Sequence, residues 1–175
     1  MKSPTLHTRI QTQFWLPVLV LAASSWIAAP AFAAVGQMIF VAGDVKVKNL
    51  AGQTRAATRG GSIDEGETIQ TAPGASAQLR MVDNGFIAVR SDTELKFDKY
   101  QYRGREDGSE NALMSLVKGG FRTITGIIGR SNKTNYLVTT PSATIGIRGT
   151  DHEPFFIPPP APGQIPIGTP GAYNK

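Results

Sequence analysis

From Val35 to Thr150 apolar and polar residues alternate in short runs separated by turn residues, and no long segment repeats at the helical period of 3.6. Val45-Lys46-Val47-Lys48 alternates in and out before Asn49-Leu50-Ala51-Gly52 turns the chain. Ile69 and Thr71 lead into a Pro73-Gly74 bend, after which Ala77, Leu79 and Met81 point one way and Gln78 and Arg80 the other. Asp83-Asn84-Gly85 predicts a hairpin turn, because Asn and Gly tolerate the positive φ of a tight reversal, and Phe86 to Val89 returns. Leu95 and Phe97 alternate with Lys96 and Asp98, and Tyr100 and Tyr102 extend that pattern to a polar loop over Arg103 to Asn111.

Leu113 to Lys118 is compatible with a helical turn or a strand. Gly119-Gly120 favours a strand boundary, since two glycines inside a helix cost roughly 2 kcal/mol relative to alanine. Phe121 to Ile128 is apolar and rich in β-branched residues, which predicts another strand, followed by a polar loop from Gly129 to Asn135. Val138 to Glu153, VTTPSATIGIRGTDHE, predicts a strand pair bent at Thr140-Pro141, with Ala143, Ile145 and Ile147 at period two and a stop at Arg148-Gly149-Thr150. A guanidinium ending an apolar strand is costly to bury without partners, so Arg148 is expected to be a fold staple tied to carbonyls or a carboxylate, with ligand contact as the competing role. Gly149 lets the backbone turn closely beside it.

A strand ending in Arg-Gly-Thr after a Thr-Pro bend resembles FecR-like periplasmic domains, β-rich sensory or scaffolding modules of bacterial envelope proteins. The resemblance extends to Gly43-Asp44-Val45, to Gly66-Glu67-Thr68-Ile69-Gln70-Thr71, to Ser76-Ala77-Gln78-Leu79 with Asp83-Asn84-Gly85, and to Gly119-Gly120-Phe121. It implies recognition rather than catalysis. FecR-type signalling regulators carry a cytoplasmic anti-sigma segment before a membrane span. Here 13 residues precede the apolar run, so a stand-alone exported domain is expected ahead of a membrane-anchored regulator.

Lys2 and Arg9 form a positive beginning, Phe14 to Ala29 is an uncharged apolar run, and Pro30 precedes the small-residue pattern Ala31-Phe32-Ala33. That order predicts a cleaved secretory signal over residues 1–33 and periplasmic or secreted localisation. An uncleaved anchor is the alternative, but sixteen residues fall short of the roughly 20 that a spanning helix needs. Without Lys2 and Arg9 the formal charge falls from +5 to +3, a weak case for a nucleic-acid partner. The absence of cysteine excludes disulfides, thiolate chemistry and cysteine-ligated zinc. Pro154 to Lys175 holds seven prolines and predicts an extended, polyproline-like tail, either disordered or a docking segment.

Asp151-His152-Glu153 has metal-ligand residue types, but neighbours on an extended chain point to opposite sides and converge poorly on one ion. Ser142 with His152 lacks the orienting acid and oxyanion donor that a triad needs. Asp64, Glu65 and Glu67, or Asp92 and Glu94 at period two, are carboxylate groups of the kind used on glycans, yet neighbouring Arg90 and Lys96 explain the latter pair as a solvated strand face. Arg55 with Arg59, Arg103 with Arg105, and Arg130 with Lys133 are interleaved with acids, as soluble surfaces are. The fold expected is all-β, an antiparallel β-sandwich of jelly-roll type, with a compact β-solenoid as alternative. The domain spans residues 34–153, and Thr140, Pro141, Arg148, Gly149 and Thr150 form its structural motif. The function expected is a non-catalytic binding or scaffolding module for an envelope protein or polysaccharide, needing no cofactor and no membrane span after signal removal. A carbohydrate-active enzyme is the remaining alternative.

Overall fold

A computed structural model describes residues 34–147, 150–164 and 168–174. The expected signal over residues 1–33 and the pair Arg148-Gly149 lie outside these described residues. The strands are β1 (Ala34–Ala42), β2 (Val45–Lys48), β3 (Thr54–Ala56), β4 (Ser62–Asp64), β5 (Thr68–Thr71), β6 (Ser76–Met81), β7 (Phe86–Val89), β8 (Glu94–Gln101) and β9 (Asn111–Ile124). A short helix α1 (Ile127–Ser131) and a 3-10 turn (Lys133–Asn135) lead to β10 (Tyr136–Thr139), β11 (Thr144–Gly146), β12 (Asp151–His152), β13 (Pro154–Ile157) and β14 (Gly171–Asn174).

The fold is all-β, as the alternation predicts, but it is not the jelly-roll sandwich. One sheet runs in the order β3-β2-β5-β8-β9-β7-β6-β1-β4 and curls into a half-barrel around a single core. The solenoid alternative is not seen either, because along this path every neighbour is antiparallel; β10 lies parallel to the first half of β9.

The physical reason is β9, which belongs to both halves of the sheet. Its first half pairs with β8 and its second with β7, and Gly119-Gly120 lies between them. Gly119 has φ +77°, and a Cβ there would collide with the Thr93 hydroxyl and the Asp92 carbonyl; a Cβ at Gly120 would lie 2.6 Å from that of Phe155. Two residues without side chains therefore let the strand bend around the corner unbroken, where bulkier residues would end it. Thr93 holds the bend: its Oγ1 donates to the Gly120 carbonyl at 3.0 Å and accepts from the Gly120 N–H at 3.0 Å. Before the bend Ala112, Met114 and Leu116 face inward, and after it Phe121 and Thr123 do, so the inward parity changes at the glycines.

Ala77, Leu79 and Met81 are buried while Gln78 and Arg80 are exposed, and Leu95 and Phe97 are buried as well. Tyr100 also faces inward although it is three residues beyond Phe97. A register shift between Phe97 and Lys99 restores its parity. The segment expected to be strand from Phe121 to Ile128 stops at Ile124, and Ile127–Ser131 is helical instead. Buried Ile128 then plugs the core from α1 rather than from the sheet. The proline-rich stretch contributes β13, which pairs with Gly119 and Gly120 of β9 and with β14; Phe156 is buried in the core.

Candidate functional site

The convex side of β1, β6, β7, β9 and β12 carries an ordered grid of side chains. One row of cross-strand partners runs Phe40, Gln78, Ala88 and Arg122. The next runs Gln37, Arg80, Phe86, Ile124 and Asp151. Between these rows, the inward row Met38, Leu79, Ile87, Thr123 and His152 faces the core, as pleating requires. On the outer rows Phe40 is 46% exposed, Phe86 41% and Ile124 44%, and Phe86 and Ile124 are cross-strand neighbours. Small Ala88 leaves a depression of about 370 Å³ among Ile39, Gln78, Phe86, Arg122 and Ile124.

Arg122 lines that depression, Arg80 lies on the same strand as its Gln78, and Arg90 directly follows the strand that carries its Ala88. Arg122 donates from Nε and Nη2 to the two oxygens of Asp151 at 3.0 and 2.5 Å, and this pairing raises the Arg122 pKa further above its ordinary value. Arg90 pairs with Glu153. Arg80 donates to Asn84 Oδ1 at 3.1 Å and has no ion pair among the described residues, so its charge is available to a partner.

Beneath the grid lies a buried polar network. Asp83, fully buried, accepts from the Tyr100 hydroxyl at 2.8 Å, the Gly85 N–H at 3.1 Å and the Ile128 N–H at 3.2 Å. Its carbonyl takes the Ile127 N–H at 3.0 Å, so Asp83 closes the hairpin loop and starts α1 together. Burial raises the Tyr100 pKa well above its ordinary value, with Tyr136 and Asp83 adding to the shift. Tyr136 is raised chiefly by burial too, against a contact with Thr123 Oγ1 at 3.2 Å. Both phenols thus remain protonated. His152 packs edge-on to Tyr136 with ring centroids 6.2 Å apart; its buried Nε2 has no hydrogen-bond partner, and burial lowers its pKa.

The family model described as FecR protein matches residues 67–154, half of the chain. The chain belongs to the FecR family. A solved cell surface anchoring domain is 29% identical over 35% of this chain and 82% of its own, with a TM-score of 0.35. None of the curated proteins matches.

The matched span of this FecR domain holds most of the motifs read from the sequence, while Gly43-Asp44-Val45 precedes it. Thr140 and Pro141 form the turn between β10 and β11. The Thr140 N–H donates to the Ala143 carbonyl at 2.8 Å, and Thr140 Oγ1 accepts the Ala143 N–H at 3.0 Å. Thr150 gives its carbonyl to the Thr125 N–H at 2.8 Å, fastening the chain ahead of β12 to the end of β9. Arg148 and Gly149 remain outside the described residues.

The candidate chemical constellations are not assembled. Asp151 faces outward to Arg122, His152 faces the core and Glu153 meets Arg90, so the three point apart. Among the described residues no acidic or histidine cluster suits a metal ion. Ser142 sits in the exposed β10–β11 turn, whereas His152 is buried against Tyr136. Asp92 and Glu94 do not share a strand face: Asp92 has φ 52° in the turn before β8 and binds Lys118 at 2.7 Å. Glu67 is held by Arg55 through two hydrogen bonds of 2.5 and 2.9 Å.

Neither the grid nor the Asp83 network was evident as a site from sequence. Outward Phe86 and Ile124 are visible in the alternation, but their alignment needs the hairpin and β9 registers. Asp83 reads as a turn residue because its partners Tyr100 and Ile128 are distant in sequence.

Proposed function

We propose that this FecR domain is a non-catalytic recognition module of the cell envelope, exported to the periplasm or beyond, and that it holds an envelope protein or polysaccharide on the outer grid of β1, β6, β7 and β9. The observation that carries this reading is the exposure of Phe40, Phe86 and Ile124 on one sheet face beside Gln78, Arg80 and Arg122. Monomeric soluble surfaces rarely gather large apolar side chains without a binding role. Aromatic residues and arginine are also the types enriched where proteins bind. The ionisable groups that chemistry would use are otherwise engaged: Asp83 closes a hairpin, Glu67 holds Arg55 and Asp151 holds Arg122.

Cell fractionation with intact-mass measurement tests the reading. The expected result is an exported chain beginning at Ala34, with a portion retained on washed envelopes. A cytosolic chain that keeps Phe14, or an exported one that washes freely from envelopes, would overturn it.

A further inference from the structure

We infer that the depression over Ala88 is a socket for one apolar side chain of a partner protein, and that Arg80 meets an acidic residue at the rim of that partner's surface. This rests on the recognition reading above and names its partner class. The socket exists because Ala88 is the small member of its row. Gln78 and Arg122 are its cross-strand neighbours, while Phe86, Ile124 and Ile39 rise around it. Apolar walls on most sides suit a single inserted side chain, the arrangement that concentrates binding energy at interface centres.

Two features select a protein over the other occupants. Phe86 is the one ring in the lining, whereas Ile39, Leu79, Ile87 and Ile124 are aliphatic, so most of the wall matches a partner's apolar side chain. Charge argues against a second copy placed by two-fold symmetry. Such a copy would bring the same unpaired Arg80 onto the matching cation of its mate, since Arg122 and Arg90 are already neutralised by Asp151 and Glu153. An acidic rim instead gives the unpaired Arg80 a counter-charge.

The test places the photo-crosslinking amino acid p-benzoylphenylalanine at Phe86 of the full chain, expressed in its native cells. The same probe at Leu50, an exposed apolar residue on the β2–β3 turn, serves as control. The expected result is a discrete protein adduct from position 86 that is absent from position 50. It should fall about tenfold with Ala88→Trp, which fills the socket, and similarly with Arg80→Glu. Each variant is first shown to melt at the parent midpoint. Since both side chains face outward, a melting shift in one leaves the other to decide.

An adduct of twice the chain's own mass would overturn the inference in favour of a second copy. A polydisperse glycan adduct would overturn it in favour of polysaccharide. A protein adduct unaffected by either substitution would also overturn it. In each of these cases the chain is still retained on envelopes, so the broader recognition reading stands; loss of retention in the parent chain removes that reading itself.

Discussion

The Tyr100 hydroxyl donates a 2.8 Å hydrogen bond to Oδ1 of Asp83, tying β8 to the loop between β6 and β7 across the interior of the half-barrel. The same carboxylate receives the Gly85 and Ile128 N–H groups. One buried side chain therefore satisfies three donors, one within its own loop and two from β8 and α1. Asp83→Ala strands all three and is expected to destabilise the domain by roughly 3 kcal/mol or more. Tyr100→Phe removes one donor and leaves the carboxylate two others, for a cost of about 2 kcal/mol. Urea denaturation of the two variants checks the order: equal, small effects would contradict a central role for Asp83.

The corner in β9 makes a second expectation. Gly119→Ala demands a left-handed backbone from alanine and puts a methyl against the Thr93 hydroxyl and the Asp92 carbonyl. Backbone strain and collision together should cost on the order of 3 kcal/mol. The positive φ of the hairpin loop falls on Asn84, at 63°, rather than on Gly85. Gly85 is needed for a different reason, the Gly126 N–H side of the chain passing 2.9 Å from where its Cβ would stand. Gly85→Val is accordingly expected to destabilise by about 1 kcal/mol or more. A melting midpoint unchanged in either variant would show that the corner or the loop tolerates a side chain.

Stability should fall through His152 as pH drops below about 6.5. Burial lowers its folded pKa below the ordinary 6.5, so between the two values the unfolded chain binds more protons than the folded one. The contribution is present above 6.5 and is lost as pH falls through the folded pKa. Asp151, held below its ordinary 3.8 by Arg122, acts in the same direction but at more acid pH, which separates the two. His152→Phe should flatten the stability profile below about pH 6.5. A profile as steep as the parent's would place the proton uptake elsewhere.

Much of the fold was legible as alternation. The strands β2, β5, β6 and β7 follow from period-two runs bounded by Gly, Pro, Asn and Asp, and the buried members are those the alternation selects. What alternation cannot carry is a change of parity. Phe97 and Tyr100 both face inward only because of a bulge, and Leu116 and Phe121 only because of Gly119-Gly120. Read as a strand boundary, those glycines predict two sheets; as a corner in one strand, they make a single curled sheet. The prolines of the last segment similarly obscured β13, since Pro154 begins the strand and the three residues after it are free to pair.

Phe156 gives that last point a direct check. Its side chain is buried, so Phe156→Ala should cost roughly 3 kcal/mol. A detached tail would show no loss in a thermal or chemical melt.

Recognition through the outer grid can be read most directly from the fraction of exported protein retained on washed envelopes when Phe86 and Ile124 are both changed to serine. These side chains face solvent as cross-strand neighbours, so the double variant is expected to melt near the parent midpoint. Its retention should fall to the level of an unrelated exported protein. Retention equal to the parent's, in a folded double variant, would contradict recognition through the grid.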